Sequence, residues 1–408
     1  MPGHDAGPCP GVAREVTAWG TVSNAVDVIE ARKAAIGDGA EVRRLLPQRT
    51  LRTIGAWCFL DHYGPDEVSR GHGMQVPPHP HIGLQTVSWL FQGLVLHRDS
   101  LGRQQLIRPG ELNLMTAGRG ITHSEESAAG RPPVLHGLQL WIALPEAERH
   151  GEPRFAHHAD LPVVRDGAAS VTVAIGEYRG ERSPAEVFSP LAGYEVAVPG
   201  GNDFMLPVRE DFEHGVVAVD GSAVVGGALI APGLLAYLPA GESEIRLSPA
   251  GGRRLARFFV IGGVPFGERL LMWWNFVAHS AGEITRARED WVAGRFPQVR
   301  GYPGAPLAAP PLPPVPLKAT LTLRLLAGSG LVGRRHLRGG MGEDPCCAVS
   351  RGQGDGLRRP RVTRGRAGET QGGGEVAAGA AAEGADVRLA DAEPPLDDAD
   401  QRRVVEHI

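Results

Sequence analysis

GMQVPPHPHIGLQTVSWLFQG, residues 73–93, decides the fold. Its second half, LQTVSWLF over 84–91, is rich in β-branched and aromatic residues, as strands are, and Gly93 punctuates it. Its first half sets His79 and His81 two positions apart. In an extended chain residues i and i+2 share a face, so these imidazoles project together. Pro80 between them removes a backbone donor, which places the segment at a strand start or a sheet edge.

Moving outward, LVLHR (94–98) continues the strand pattern, Asp99 to Gly102 form a turn, and RQQLIR (103–108) follows. ELNLMTAGRGITHSEE, residues 111–126, then repeats the i, i+2 device with His123 and Glu125. Glu126 has the opposite parity. If these strands pair within one barrel, His79, His81, His123 and Glu125 converge as candidate metal ligands. Three neutral imidazoles and a carboxylate suit Fe(II), Mn, Ni, Co, Cu or Zn.

One His-x-His is often nothing more than a surface pair. The second pair, after a Gly-rich approach, tips the reading toward a site. His97 and Asp99 flank a strand end and read as capping or turn residues. His62, His72, His136, His157 and His158 have no partner at ligand spacing. Trp89, Phe91 and Trp141 read as core, Asp61 as an anchor for the N-terminal strand, and Arg119 as a loop ion pair or an anion contact.

The wider chain is all-β over its middle. Residues 1–40 read as a leader, loose over 1–20 and helical over 21–37. Residues 41–150 form a first β-barrel, 151–170 a linker, and 171–265 a second barrel whose only histidine is His214. One metal per chain is therefore expected. Residues 266–303 read as a helical segment packing on the barrels, with the helix at 283–296. Residues 304–317 are Pro-rich and extended. Residues 318–408 lack Phe, Trp and Tyr and are rich in Gly, Ala, Arg, Asp and Glu, so 304–408 as a whole reads as a tail, disordered beyond its Pro-rich start.

Bulk properties exclude several classes. A net charge of -4 over 408 residues offers no field for nucleic acid or an anionic membrane. No apolar run reaches membrane-spanning length, and residues 1–14 lack a secretory pattern. Cys9, Cys58, Cys346 and Cys347 make no disulfide framework, so reduced thiols and a cytoplasmic protein are expected; a monomer is expected as well.

Gly73 followed by His79-x-His81 resembles the first cupin motif, with Gln85 near the place of its usual glutamate. Gly110 through His123 resembles the second, with Thr116 where proline is common. FLDHYGP (59–65), HPHIGLQTV (79–87), HRDSLG (97–102), MTAGRGITHSE (115–125), LHGLQLWIALP (135–145), GGVPFGERLLMWWNF (262–276) and AREDW (287–291) resemble the pirin family over about residues 40–310. That resemblance implies a bicupin with one mononuclear metal, most often iron, in the N-terminal barrel, held by His79, His81, His123 and Glu125. It implies a flavonol (quercetin) dioxygenase acting on a small aromatic substrate, with Glu125 as base. The alternative it implies is a non-enzymatic, iron-dependent redox regulator that binds a transcription factor or metabolic enzyme.

Overall fold

A computed structural model of the chain describes residues 26–37, 40–69 and 73–320. Cys9, His72, Cys346, Cys347, the leader over 1–20 and the tail beyond 320 lie outside the described residues.

The described chain is almost entirely β, arranged as two barrels of the same plan. Each pairs a seven-stranded sheet with a four-stranded one. In the first barrel the large sheet runs Arg154–His158, Leu112–Thr116, Leu84–Gln92, Val134–Ala143, Trp57–Glu67, Ala40–Leu46, Arg32–Ile36. The small sheet runs Gln75–His81, Ile121–Ser127, Val95–Asp99, Gln104–Ile107. In the second barrel Leu255–Gly263 lies at the centre of the large sheet, flanked by Glu213–Ala218 and Leu191–Pro199.

The two large sheets pack on each other. Trp57, Trp89, Leu60 and Leu140 from the first barrel meet Val217, Leu235, Tyr237 and Phe259 from the second in one buried cluster. The indoles are satisfied across the seam: Trp57 Nε1 donates to Gly262 O at 3.2 Å and Trp89 Nε1 to Glu195 Oε2 at 2.8 Å. A buried indole N–H without such a partner would offset much of the gain from burying the ring.

The strand period of two explains how a polar site sits inside an apolar barrel. Inward positions of four strands read apolar, polar, polar, apolar or close to it. Leu84 and Leu90 bracket Thr86 and Ser88; Phe59 and Tyr63 bracket Asp61. Trp141 and Leu135 bracket Gly137 and Gln139; Ile121 precedes His123 and Glu125. The apolar ends form two separate clusters, and the buried polar residues lie between them in sequence.

Four expectations are corrected. The stretch 21–37 is not a helix where it is described: Asp27–Glu30 and Arg32–Ile36 are strands. Asp27–Glu30 joins the second barrel against Leu234–Leu238, while Arg32–Ile36 joins the first against Ala40–Leu46. Open sheet edges supply hydrogen-bond partners that override the local helix propensity of an Ala-rich stretch. The span 151–170 is likewise no linker. Arg154–His158 pairs with Leu112–Thr116 in the first barrel, and Val163–Asp166 with Ala169–Ile175 in the second. The segment 266–303 contains a β-hairpin, Leu271–Trp273 with Phe276–Ala278, ahead of its one helix, Ala281–Val292. Finally, residues 304–320 are not a free tail; Leu307, Leu312 and Leu317 pack against the cluster of Trp273, Trp274 and Ile284.

The helix begins as its sequence dictates. Ser280 is the N-cap, its hydroxyl accepting from the Glu283 N–H, and Glu283 returns a carboxylate to the Ser280 hydroxyl at 2.8 Å. Gly294, at φ +68°, ends it one residue past the C-cap Ala293.

Candidate metal centre

Gln75–His81 and Ile121–Ser127 are antiparallel, with His123 opposite His79 and Ile121 opposite His81. On its other side, Ile121–Ser127 meets Val95–Asp99 with His123 opposite Asp99 and Glu125 opposite His97. The register thus brings together side chains that the sequence separates by 42 residues, as for His81 and His123, or by 26, as for His97 and His123.

His79, His81 and His123 form one set whose donor atoms lie within 4.8 Å of one another, all buried. Glu125 falls in a second set, with His97 and His123, at the same spacing. The four sequence-predicted residues therefore converge through His123, which belongs to both sets, rather than as a single quartet. His97 was read from sequence as a turn residue; it is 2% exposed and belongs to this centre. Its place directly opposite Glu125 comes from the pairing of the two strands, which sequence spacing does not signal. Glu126, of the opposite parity, turns away and ion-pairs with Arg98.

Hydrogen bonding fixes the imidazole tautomers. His79 Nδ1 donates to Pro77 O at 2.8 Å and His81 Nδ1 to Asn275 O at 2.9 Å. His97 Nε2 donates to Asp99 Oδ2 at 3.2 Å, and a neutral His97 then has Nδ1 to accept from His123 Nδ1 at 3.4 Å. His79, His81 and His123 thus each carry the proton on Nδ1 and present Nε2 as a lone pair. His81 Nε2 and His123 Nε2 then face each other 3.0 Å apart with no hydrogen between them. Two buried lone pairs so close repel unless a cation lies against both. The donor set therefore fits a metal ion, and the carbonyl and carboxylate partners behind the rings are the supports such ligands have.

Burial supports this. It lowers His79 to about 4 and holds His81 and His123 well below the usual imidazole range, so all three are neutral near pH 7. Burial raises the Glu125 carboxyl, against the opposing pull of His97 and of the Ser88 hydroxyl. Ser88 Oγ donates to Glu125 Oε1 at 2.8 Å and stands 3.0 Å from Gln139 Oε1.

Aromatic rings wall the centre. Trp141 stacks on Phe59 at 4.0 Å and meets His81 edge-on at 5.1 Å, while Phe155 stacks on His97 at 4.5 Å. Trp141, read from sequence as plain core, thus touches a candidate ligand. Gln85 is buried, its amide donating to Thr116 Oγ1 at 2.9 Å and to Glu186 O at 3.0 Å.

Elsewhere, Asp61 takes a bidentate pair from Arg44 at 2.8 and 2.9 Å, tying Ala40–Leu46 to Trp57–Glu67. Arg119 forms an exposed ion pair with Glu152. His62 and His136, which showed no partner at ligand spacing, face each other Nε2 to Nε2 at 2.8 Å. In the second barrel His214 is buried, and no further cluster of metal-ligating groups occurs among the described residues.

The pirin family profile matches residues 39–142, and that of the pirin C-terminal cupin domain matches 193–297. A Pseudomonas aeruginosa protein provisionally named quercetin 2,3-dioxygenase is 47% identical over 287 residues, covering 70% of this chain and 90% of its own length. A pirin-like protein of Caulobacter vibrioides is 36% identical over 276 residues, 66% of this chain and 93% of its own. The crystal structure of a quercetin 2,3-dioxygenase from Acinetobacter baumannii superimposes with a TM-score of 0.69 at 43% identity, covering 72% of this chain and 97% of that one. With the two barrels and both profile matches in place, this chain belongs to the pirin family of bicupin proteins.

Proposed function

We propose that this protein is a flavonol 2,3-dioxygenase that holds one divalent metal ion, iron(II) by preference, on His79, His81, His123 and Glu125. The observation that carries the metal site is the pair of inward lone pairs, His81 Nε2 and His123 Nε2, 3.0 Å apart in a buried centre. The names of the 47% and 43% identical relatives support the reaction class. When bound, the metal would supply Lewis acidity toward the substrate hydroxyl and one-electron chemistry toward dioxygen.

The chain's own residues do the rest. Glu125, its carboxyl raised by burial, takes the proton of the flavonol hydroxyl. Ser88 holds the carboxylate in place through Oε1. Phe59, Trp141 and Phe155 exclude water and offer flat surface to an aromatic ring.

Purified protein loaded with iron(II) is expected to consume oxygen with quercetin, and Glu125→Gln to lose most of that turnover while remaining folded. Absence of oxygen uptake with iron, manganese, nickel, cobalt or copper would remove the oxygenase reading.

One observation favours the regulatory alternative. The four residues are 1–7% exposed, and a cleft of about 140 Å³ lined by Arg119, Arg149, Arg286 and Phe296 includes none of them. A closed centre suits an ion whose charge state alters a surface. Partner capture that differs between iron(II) and iron(III) protein is the expected result on that reading.

A further inference from the structure

The strand that carries His79 and His81 is an edge strand. Among the described residues, Gln75–His81 stands at the end of its sheet and pairs only with Ile121–Ser127. Pro77, Pro78 and Pro80 deprive it of donors but leave its carbonyls. Chain from beyond both barrels meets this edge. Val277 N–H donates to Ile82 O at 3.1 Å, and Asn275 O accepts from His81 Nδ1. Leu307 N–H donates to Pro78 O at 2.9 Å.

Leu307 is itself latched. Trp291 Nε1, on the helix, donates to Leu307 O at 2.8 Å, and Arg288 Nε donates to Pro310 O at 2.7 Å. Further along, Thr320 and Leu270 exchange both backbone bonds, at 2.9 and 3.0 Å. Residues 304–320 therefore run as a strap from the edge strand, across the helix, to the start of the hairpin.

We propose that this strap is a positioning element for the metal centre: Leu307 N–H, held by Trp291, fixes the Pro78–His79 peptide and so sets how long the site retains its ion. The inference rests on the metal reading above. Its physical basis is the planar peptide. Pro78 C=O and His79 N belong to one rigid unit, so anchoring that oxygen fixes the plane from which the His79 side chain departs. His79 is the least buried of the three imidazoles, at 6% against 1% for His81 and His123, and depends most on such an anchor.

The test compares full-length wild type with Leu307→Pro, Leu307→Ala, Trp291→Phe and His79→Ala, each loaded with cobalt(II). Two quantities are read: the rate of cobalt release to excess chelator, and the cobalt ligand-field absorption, which a purely structural role would leave unchanged. Leu307→Pro removes the N–H from an already Pro-rich segment. Together with Trp291→Phe it is expected to release metal about 10- to 100-fold faster, with a shifted absorption band. Leu307→Ala keeps the N–H and is expected to stay close to wild type. His79→Ala is expected to bind no cobalt.

Wild-type release and an unchanged spectrum in Leu307→Pro, with His79→Ala empty, would overturn the strap and leave the metal reading standing. Full cobalt content in His79→Ala would instead overturn the metal reading. Equal acceleration in Leu307→Pro and Leu307→Ala would show that side-chain packing, and not the N–H, is responsible, and would also overturn the proposal. If Leu307→Pro fails to fold, Trp291→Phe decides on the same two readouts.

Discussion

Three imidazoles here are not equivalent in what holds them. His79 and His81 lean on backbone carbonyls, whereas His123 depends on another side chain, His97, which in turn leans on Asp99. Removing His97 frees His123 Nδ1 from its acceptor and lets the ring choose the wrong tautomer. His97→Ala is expected to weaken metal affinity by about 10- to 100-fold without changing the one-to-one stoichiometry at saturation. Elemental analysis and competition with a chelator of known affinity measure both; unaltered affinity would return His97 to the role of a turn residue. Of these residues, the two i, i+2 pairs were legible from spacing alone. His97 was not, because its role depends on which strand lies beside Ile121–Ser127, and no local pattern encodes that neighbour.

At the level of elements, two contacts between strands carry measurable weight. Asp61 and Arg44 are 1% and 7% exposed and bound to each other through both oxygens. Asp61→Ala leaves a guanidinium buried beside Phe59 without its counter-charge, and is expected to cost about 3–5 kcal/mol of stability, read by urea denaturation. The anchoring role inferred for Asp61 from its FLDHYGP context predicts the same loss. Gly83, two residues after His81, adopts φ +69°, and an added Cβ would overlap the Val277 carbonyl oxygen. Gly83→Ala is expected to lose about 1–3 kcal/mol and to loosen the hairpin against the first barrel. A melting temperature matching wild type would contradict this. The strands themselves followed from period-two patterning, but the N-terminal pair did not. Asp27–Glu30 shows no clean alternation, its burial running exposed, exposed, intermediate, exposed, so only the edge of a distant sheet makes it a strand.

Across the whole molecule, burial of neutral histidines contributes to the pH dependence of stability. His214 is lowered to about 4 and His62 to about 2, both chiefly by burial. In the unfolded chain a histidine takes up its proton below about pH 6.5, whereas in the folded chain these two do so only at the lower values. Their contribution is therefore complete above about pH 6.5 and is lost as the pH falls from there toward the folded values. For His214 the loss approaches about 1.4 kcal/mol per pH unit between roughly pH 6.5 and 4. Glu125 and Glu195, raised by burial, act in the opposite sense, holding protons in the folded state and favouring it in acid. A His214→Leu variant isolates one group. Metal-free protein is expected to show a lower urea midpoint near pH 5 than near pH 7, and the variant a shallower decline. An identical decline in wild type and variant would show that His214 does not contribute.

By itself the sequence determined the all-β class, the two barrels and the i, i+2 pairs of a candidate metal centre, because strand periodicity and residue type are local properties. The tertiary structure decided the rest. Register made His97 a neighbour of His123, carbonyls near and far in sequence selected the imidazole tautomers, and open edges recruited chain from the N-terminal and C-terminal ends. Residues 304–320 show the difference most directly. Their composition announces an extended Pro-rich segment, but only the unpaired carbonyl of an edge strand, and the indole of a distant helix, decide that it is a strap rather than a tail.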